Sequence, residues 1–395
     1  LHSFPTRRSS DLVNKTVDEG GEIRLRFFKE DYMRKGLRQA MIVLGICMCL
    51  GGCEKETEAK TEPEGETVQS EDGDFFPESY SEETEKVKFE CVVNVPEKFE
   101  VTNFHAPIIK GVSNIDAETA YKKYVEGKVV TEEYHDEPTI ENEKGNDTYI
   151  LEDGTVIGLS GVFLYNTPES SIYRQVVRMS ERSAPKDNFK FASGDDCTEQ
   201  VKEELRSLGC PVDEYQFDWF STSGEDYAIL EKRALDDGMI DSQRAKQDGW
   251  TEANNSYEIY GWQLYEGLQV LPPWITSAMS RAFESYQKAP ISAVYTKQGM
   301  LSLALTEAPC IFEHSDETLE FLKFPEIADI LEEKYSALLD DAVYTVTYAK
   351  LVLRTYFDEG QKLAAEPVWY FEVTDGTSME VALLNAVTGT EIFLN

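Results

Sequence analysis

The chain has 395 residues, with 74 Asp and Glu against 38 Lys and Arg, four His and seven Cys. That length supplies a sizeable core and allows one large or two ordinary domains. A formal net charge of −36 argues against nucleic acid, which needs clustered Lys and Arg, and opposes binding to an anionic membrane surface.

Residues 1–12 (LHSFPTRRSSDL) resemble, when back-translated, a common sequencing-library adapter read through in frame, and are set aside as an artefact. Residues 13–32 are expected to be an untranslated upstream region. Lys29-Glu30-Asp31-Tyr32 can be coded by a purine-rich ribosome-binding site just ahead of Met33. Arg34, Lys35 and Arg38 then form a basic region, followed by the apolar run Ala40–Leu50. A helix of that length spans only about 16 Å, short of the ~30 Å hydrocarbon layer. Residues 33–52 therefore read as a signal peptide and not as a membrane span.

The run closes Leu50-Gly51-Gly52-Cys53, which resembles the lipobox of bacterial lipoproteins. The resemblance implies cleavage between Gly52 and Cys53 and acylation of Cys53. Lipid-anchored residence on the extracellular face of the cell membrane follows. Residues 53–86 carry a dense run of acids and almost no aliphatic side chains. Such a composition cannot offset ordering entropy and reads as a disordered tether.

The body is expected to begin near Val87, where Val87, Phe89, Cys91, Val93 and Val95 alternate as on a half-buried strand. Asp116 is a candidate N-cap for a short helix to Glu126. Thr148–Leu151 and Thr155–Leu159 flank Glu152-Asp153-Gly154, a hairpin signal. Strands are expected at Gly161–Tyr165 and Ile172–Arg178. A helix capped at Asp196 runs to Leu208 and stops at Gly209 and Pro211. Strands follow at Tyr215–Phe220 and Tyr227–Ala234, then a polar helix or loop over Asp241–Gly249. Next come strands Tyr257–Tyr265, Ile291–Thr296 and Met300–Leu305, and a helix from Pro325 to Leu339. Strands Val343–Tyr356, Val368–Val373, Glu380–Leu384 and Glu391–Leu394 close the chain. The expected class is α+β, mostly antiparallel sheets with a few short helices, in two units over 87–245 and 246–395.

The end of the chain reads Glu366-Pro367-Val368-Trp369-Tyr370-Phe371, then Asn385-Ala386-Val387-Thr388-Gly389-Thr390-Glu391-Ile392. It resembles the close of PepSY-like units, where a helix precedes antiparallel strands. In the final turn Asn385 can bond the backbone and Gly389 supplies a positive φ. The whole chain is also similar to uncharacterised surface lipoproteins of low-GC Gram-positive bacteria. PepSY-like units are associated with peptidase inhibition or envelope signalling. The resemblance thus implies a protein or peptide partner, with no residue-by-residue transfer.

No nucleotide-binding glycine loop is present. Gly158-Leu159-Ser160-Gly161 lacks the second glycine of a nucleophile elbow, since Val162 stands there. Glu141–Glu152 has the acid count of a calcium loop, but Asn146 replaces its glycine. His314, beside Glu313 and Asp316, reads as an exposed loop residue, and His105 and His135 as scattered from it. No metal, cofactor or catalytic residue is therefore expected, and the reading is non-enzymatic. The alternative is a solute- or glycan-binding lipoprotein with an aromatic cleft built from Trp262, Tyr265 and Trp274. A hydrolase would need an acid in an apolar pocket with a raised pKa. Cys91, Cys197, Cys210 and Cys310 are expected to form few or no disulfides.

Overall fold

A computed structural model of the chain describes residues 14–17, 23–26, 75–136, 145–159, 162–177, 186–238, 240–273 and 289–393. The chain divides into two compact units, 1–67 and 68–395. In the first, β1 (Asn14–Val17) and β2 (Ile23–Arg26) pair as an antiparallel hairpin. Gly52, Cys53 and the whole of the signal-peptide segment lie outside the described residues.

The second unit begins earlier than composition suggested. Phe75, Phe76 and Tyr80 pack on the core, and β3 (Ser79–Glu83) pairs antiparallel with β4 (Val87–Asn94). Three aromatic anchors among the acids are enough to order the end of the supposed tether. On β4, Val87, Phe89, Cys91 and Val93 are buried in alternation.

From there the order is β5 (His105–Val112), α1 (Ala117–Tyr124), β6 (Val130–Asp136), β7 (Asn146–Leu151), β8 (Val156–Leu159) and β9 (Phe163–Asn166). Helices α2 (Ser170–Val177) and α3 (Gly194–Ser207) precede β10 (Tyr215–Thr222) and α4 (Gly224–Asp236). Strands β11 (Ser256–Tyr265), β12 (Leu268–Leu271), β13 (Ile291–Thr296), β14 (Gly299–Leu305) and β15 (Cys310–Thr318) follow. Helix α5 (Phe324–Ser336) leads into β16 (Tyr344–Phe357), β17 (Leu363–Thr374), β18 (Met379–Asn385) and β19 (Glu391–Ile392). Among the described residues, no helix is long and apolar enough to cross a membrane.

The two-unit α+β expectation is corrected. The molecule is mostly sheet. Among the described residues, fifteen strands form one continuous mixed sheet, ordered β19-β18-β17-β16-β12-β11-β13-β14-β9-β8-β7-β6, with β10 on β11 and β3-β4 on β16. The expected boundary at 245/246 fails because strands from its two sides pair directly. Strand β11 runs antiparallel between β10 and β13, and β14 pairs with β9. Strand β4 pairs in parallel with β16, Val87 opposite Tyr344. Parallel neighbours can be distant in sequence, and a linear scan for compositional breaks does not see them.

Helices cover the sheet where its apolar rows need them. Helix α5 lays Phe324, Ile327, Ala328, Leu331 and Tyr335 on buried residues of β4, β16, β17 and β18. Helices α1 and α3 cover Tyr257, Ile259, Ile291, Ala293 and Leu303 of the other half. On the reverse face of that half, Tyr173 of α2 and Tyr227 of α4 pack on Val294 and Leu301. Two expected strands are thus helices. In α4 the apolar run Tyr227–Leu230 suggested a strand. Ser223 closes a capping box with Asp226, however, and Tyr227, Glu231 and Ala234 then fall on one buried helical stripe. Ser193, not Asp196, caps α3, with Asp196 as its capping-box partner. Asp116 caps α1 as expected, accepting from Thr119 N at 3.0 Å.

The four cysteines of the body are buried and unbridged. Burial pushes the thiols of Cys91, Cys210 and Cys310 up to about 12, so none is a ready nucleophile.

The C-terminal turn follows the expected chemistry. Asn385 Oδ1 accepts from Val387 N at 3.0 Å and Thr388 N at 2.9 Å, and Gly389 has φ +70°. A Cβ at Gly389 would lie 2.3 Å from Cδ1 of Ile330 on α5. Gly389→Ala is therefore expected to cost about 1–3 kcal/mol by combining left-handed strain with a clash. Chemical unfolding monitored by tryptophan fluorescence measures the loss.

Candidate functional site

Strands β11 and β12 are joined by Glu266-Gly267, a two-residue turn in which both φ values are positive, 44° and 89°. That is the type I′ turn whose twist suits a hairpin. Gly267 is required twice over, since a Cβ there would also meet the Lys98 carbonyl at 3.0 Å. Glu266 is the anomaly. Left-handed positions favour Gly, Asn or Asp, and another residue there costs roughly 1–3 kcal/mol.

The strained turn aims its carboxylate at two histidines. His105 opens β5 and His314 lies on β15, and these strands pair antiparallel as a separate ribbon with His314 opposite Pro107. Glu266 Oε1 lies 2.8 Å from His105 Nδ1 and 2.9 Å from His314 Nδ1. Its other oxygen accepts from the backbone N of His105 at 2.6 Å. The carboxylate side chain is 18 % exposed, His105 32 % and His314 62 %. The cluster therefore sits at the surface with its acid recessed.

Tyr265 holds the pair from beneath. Its hydroxyl donates to His105 O at 3.0 Å and lies 3.2 Å from His314 Nδ1. Its ring packs edge-on to Phe104 and tilted against Phe312, in the core under α5. The backbone and hydroxyl contacts fix the acid and both rings before any ligand arrives.

The histidines are therefore not scattered, as their spacing in the sequence implied. Two converge on one acid. The third, His135, pairs separately with Asp147 (2.7 Å) and Glu133 (3.3 Å) on the exposed β6–β7 hairpin. The hydrogen bond to Asp147 raises its pKa. Part of the calcium-like run is strand β7, not a loop; residues 141–144 lie outside the described residues.

The aromatic cleft does not assemble from its described members. Trp262 and Tyr265 are three residues apart on one strand, so they project from opposite faces. Trp262 is partly buried against Phe220, Tyr260 and Ala289, whereas Tyr265 is 4 % exposed in the other core. Trp274 lies outside the described residues, as do Ser160 and Gly161.

A second polar cluster lies inside the sheet. Glu258 of β11 is 3 % exposed. It accepts from Thr222 Oγ1 at 2.8 Å, from Ser256 Oγ at 3.2 Å and from the Tyr227 hydroxyl. Tyr227 stacks on Trp250, and Tyr173 meets both edge-on. Burial pushes the Glu258 carboxyl up to about 7, against the downward pull of these hydrogen bonds. A raised acid is what a hydrolase requires, but this one is enclosed and its oxygens are held by these three hydroxyls and a backbone N–H. It reads as a buried structural acid.

No protein-family model and no curated protein matches the sequence. Among solved structures, the chain is similar to an uncharacterized protein from Eubacterium rectale, at 14 % identity and a TM-score of 0.49. That match covers 81 % of this chain and 94 % of that one. It is also weakly similar to the YpeB C-terminal domain of Bacillus megaterium, at 8 % identity and a TM-score of 0.28, over 70 % of this chain and 94 % of that one. At these values neither likeness fixes fold or function.

Because the folded-state value of Glu258 lies above the ordinary 4.5, the unfolded chain loses this proton first as pH rises. Its stabilising contribution is complete below about pH 4.5 and is lost as pH climbs through about 7. Glu258→Gln, permanently neutral, is expected to flatten stability across that window. The difference from the native chain should reach on the order of 3 kcal/mol, at about 1.4 kcal/mol per pH unit. Guanidinium unfolding at pH 5 and at pH 8 reads it directly.

Proposed function

We propose that the chain is a lipid-anchored protein of the extracellular face of the cell membrane. In this reading it is a non-enzymatic binding or regulatory protein that recognises a protein or peptide partner. The anchor is Cys53, released for acylation by cleavage after Gly52. A single acyl chain gives only marginal membrane binding, so a doubly or triply acylated cysteine suits a protein this acidic.

The observation that carries the choice between partner and glycan is the placement of Tyr265 and Trp262. A sugar-binding cleft needs aromatic faces turned together toward solvent. Here one ring is spent in the core and its hydroxyl on His105, while the other packs on the opposite face of the strand. The PepSY-like reading of the C-terminal end is supported by the run of helix α5 into β16–β19 and by the Asn385 turn. No nucleic acid and no cofactor enters this reading.

Two measurements test it together. Cys53→Ala is expected to abolish incorporation of an alkyne-labelled fatty acid and to move the protein from the membrane fraction to the medium. In-cell crosslinking through the anchored protein is expected to capture one sensor or peptidase reproducibly. Capture of transporter subunits instead would overturn the regulatory reading in favour of solute binding.

A further inference from the structure

The geometry points to a divalent transition-metal site formed by His105, Glu266 and His314. It goes beyond the partner-binding reading and does not depend on it. The ligand atoms of the three residues lie within 4.8 Å of one another. Nδ1 of both imidazoles faces one oxygen of the same carboxylate, at 2.8 and 2.9 Å. Tetrahedral zinc with bonds of about 2.0–2.1 Å spaces its ligands roughly 3.3 Å apart. The two His–Glu contacts need to open by about half an ångström, and the two imidazole ligand atoms lie within 4.8 Å of each other.

Three further features suit a metal. The donor set is two imidazoles and one carboxylate, which selects Zn2+, Cu2+, Ni2+ or Co2+ over the hard ions Ca2+ and Mg2+. Orienting contacts are already present. Backbone N of His105 fixes the free oxygen of Glu266, and the Tyr265 hydroxyl holds the His105 backbone through its carbonyl. Contacts of this kind place ligands in advance and raise affinity. Glu266 also occupies a backbone conformation that a glycine would adopt without strain, so its side chain is retained there at a cost.

Binding is a simple exchange. The ion takes the Nδ1 and Oε1 lone pairs; a neutral imidazole that carried its proton on Nδ1 carries it on Nε2 once bound, and an imidazolium gives one proton to solvent. With three protein ligands and His314 62 % exposed, the fourth position falls to water. The site spans the β11–β12 turn and both strands of the β5–β15 ribbon. Occupancy therefore ties the ribbon to the main sheet.

The test is titration of the purified, chelator-stripped full chain with Zn2+ against a chromogenic chelator. Native protein, His314→Ala, Glu266→Gly and Glu313→Gln are compared. One Zn2+ per chain is expected in the native protein. His314→Ala and Glu266→Gly should each weaken it by about tenfold or more. Glu313→Gln, which alters the neighbouring Lys110 partner, should bind as the native chain does. Zn2+ should raise the melting midpoint of the native chain and of Glu313→Gln only. Glycine relieves the turn, so Glu266→Gly is expected to fold, and the exposed His314→Ala is a second, independent variant. Failure of the native chain to bind Zn2+, Cu2+, Ni2+ or Co2+ at unit stoichiometry would overturn the proposal. Unchanged binding by both ligand variants would do the same, by assigning the ion to other carboxylates.

Discussion

The rest of the structure depends on strand β11. Its ten residues are almost wholly buried, and it pairs with β10, β12 and β13. Through β12, which lies parallel to β16, it joins the half of the sheet covered by α1–α4 to the half covered by α5. A strand buried on both faces has no slack in register, because a slip of one residue would exchange Tyr257 and Ile259 for Glu258. The polar groups that β11 carries inward are therefore met by designed partners. Glu258 meets three hydroxyls, and Gln263 exchanges bonds with Cys310 through both its amide atoms.

The same strand determines where the surface chemistry sits. Its last residue, Tyr265, is rooted in the core, and the tight turn that follows places Glu266 over the start of β5 and the middle of β15. Rigidity below and strain in the turn fix a carboxylate between two imidazoles to within hydrogen-bond tolerance. This is the pre-organisation that ligand sites need, built on regular elements instead of a long loop.

What the sequence disclosed and what it hid divide along contact range. The alternation in β4, the Asp116 cap, the run α5–β16–β17–β18 and the Asn385-to-Gly389 turn are local signals, and all were legible. Helix α4 was mistaken for a strand because an apolar run of four fits both periods, and the Ser223–Asp226 box was the deciding cue. The β5–β15 ribbon gave no signal, being short of apolar alternation and paired across some two hundred positions. The His105–Glu266–His314 cluster depends on that ribbon, so three ordinary residues far apart in the chain offered no motif. The one local hint was Glu266-Gly267 between two apolar runs, a turn whose first residue is unusual for its type.

The most direct measurement is anomalous diffraction at the zinc absorption edge from crystals of the protein grown with Zn2+. A single strong peak bounded by His105 Nδ1, His314 Nδ1 and Glu266 Oε1 is the expected result. A map with that position empty, and peaks confined to exposed carboxylate clusters, would contradict the account of the β11–β12 turn as the foundation of a metal site.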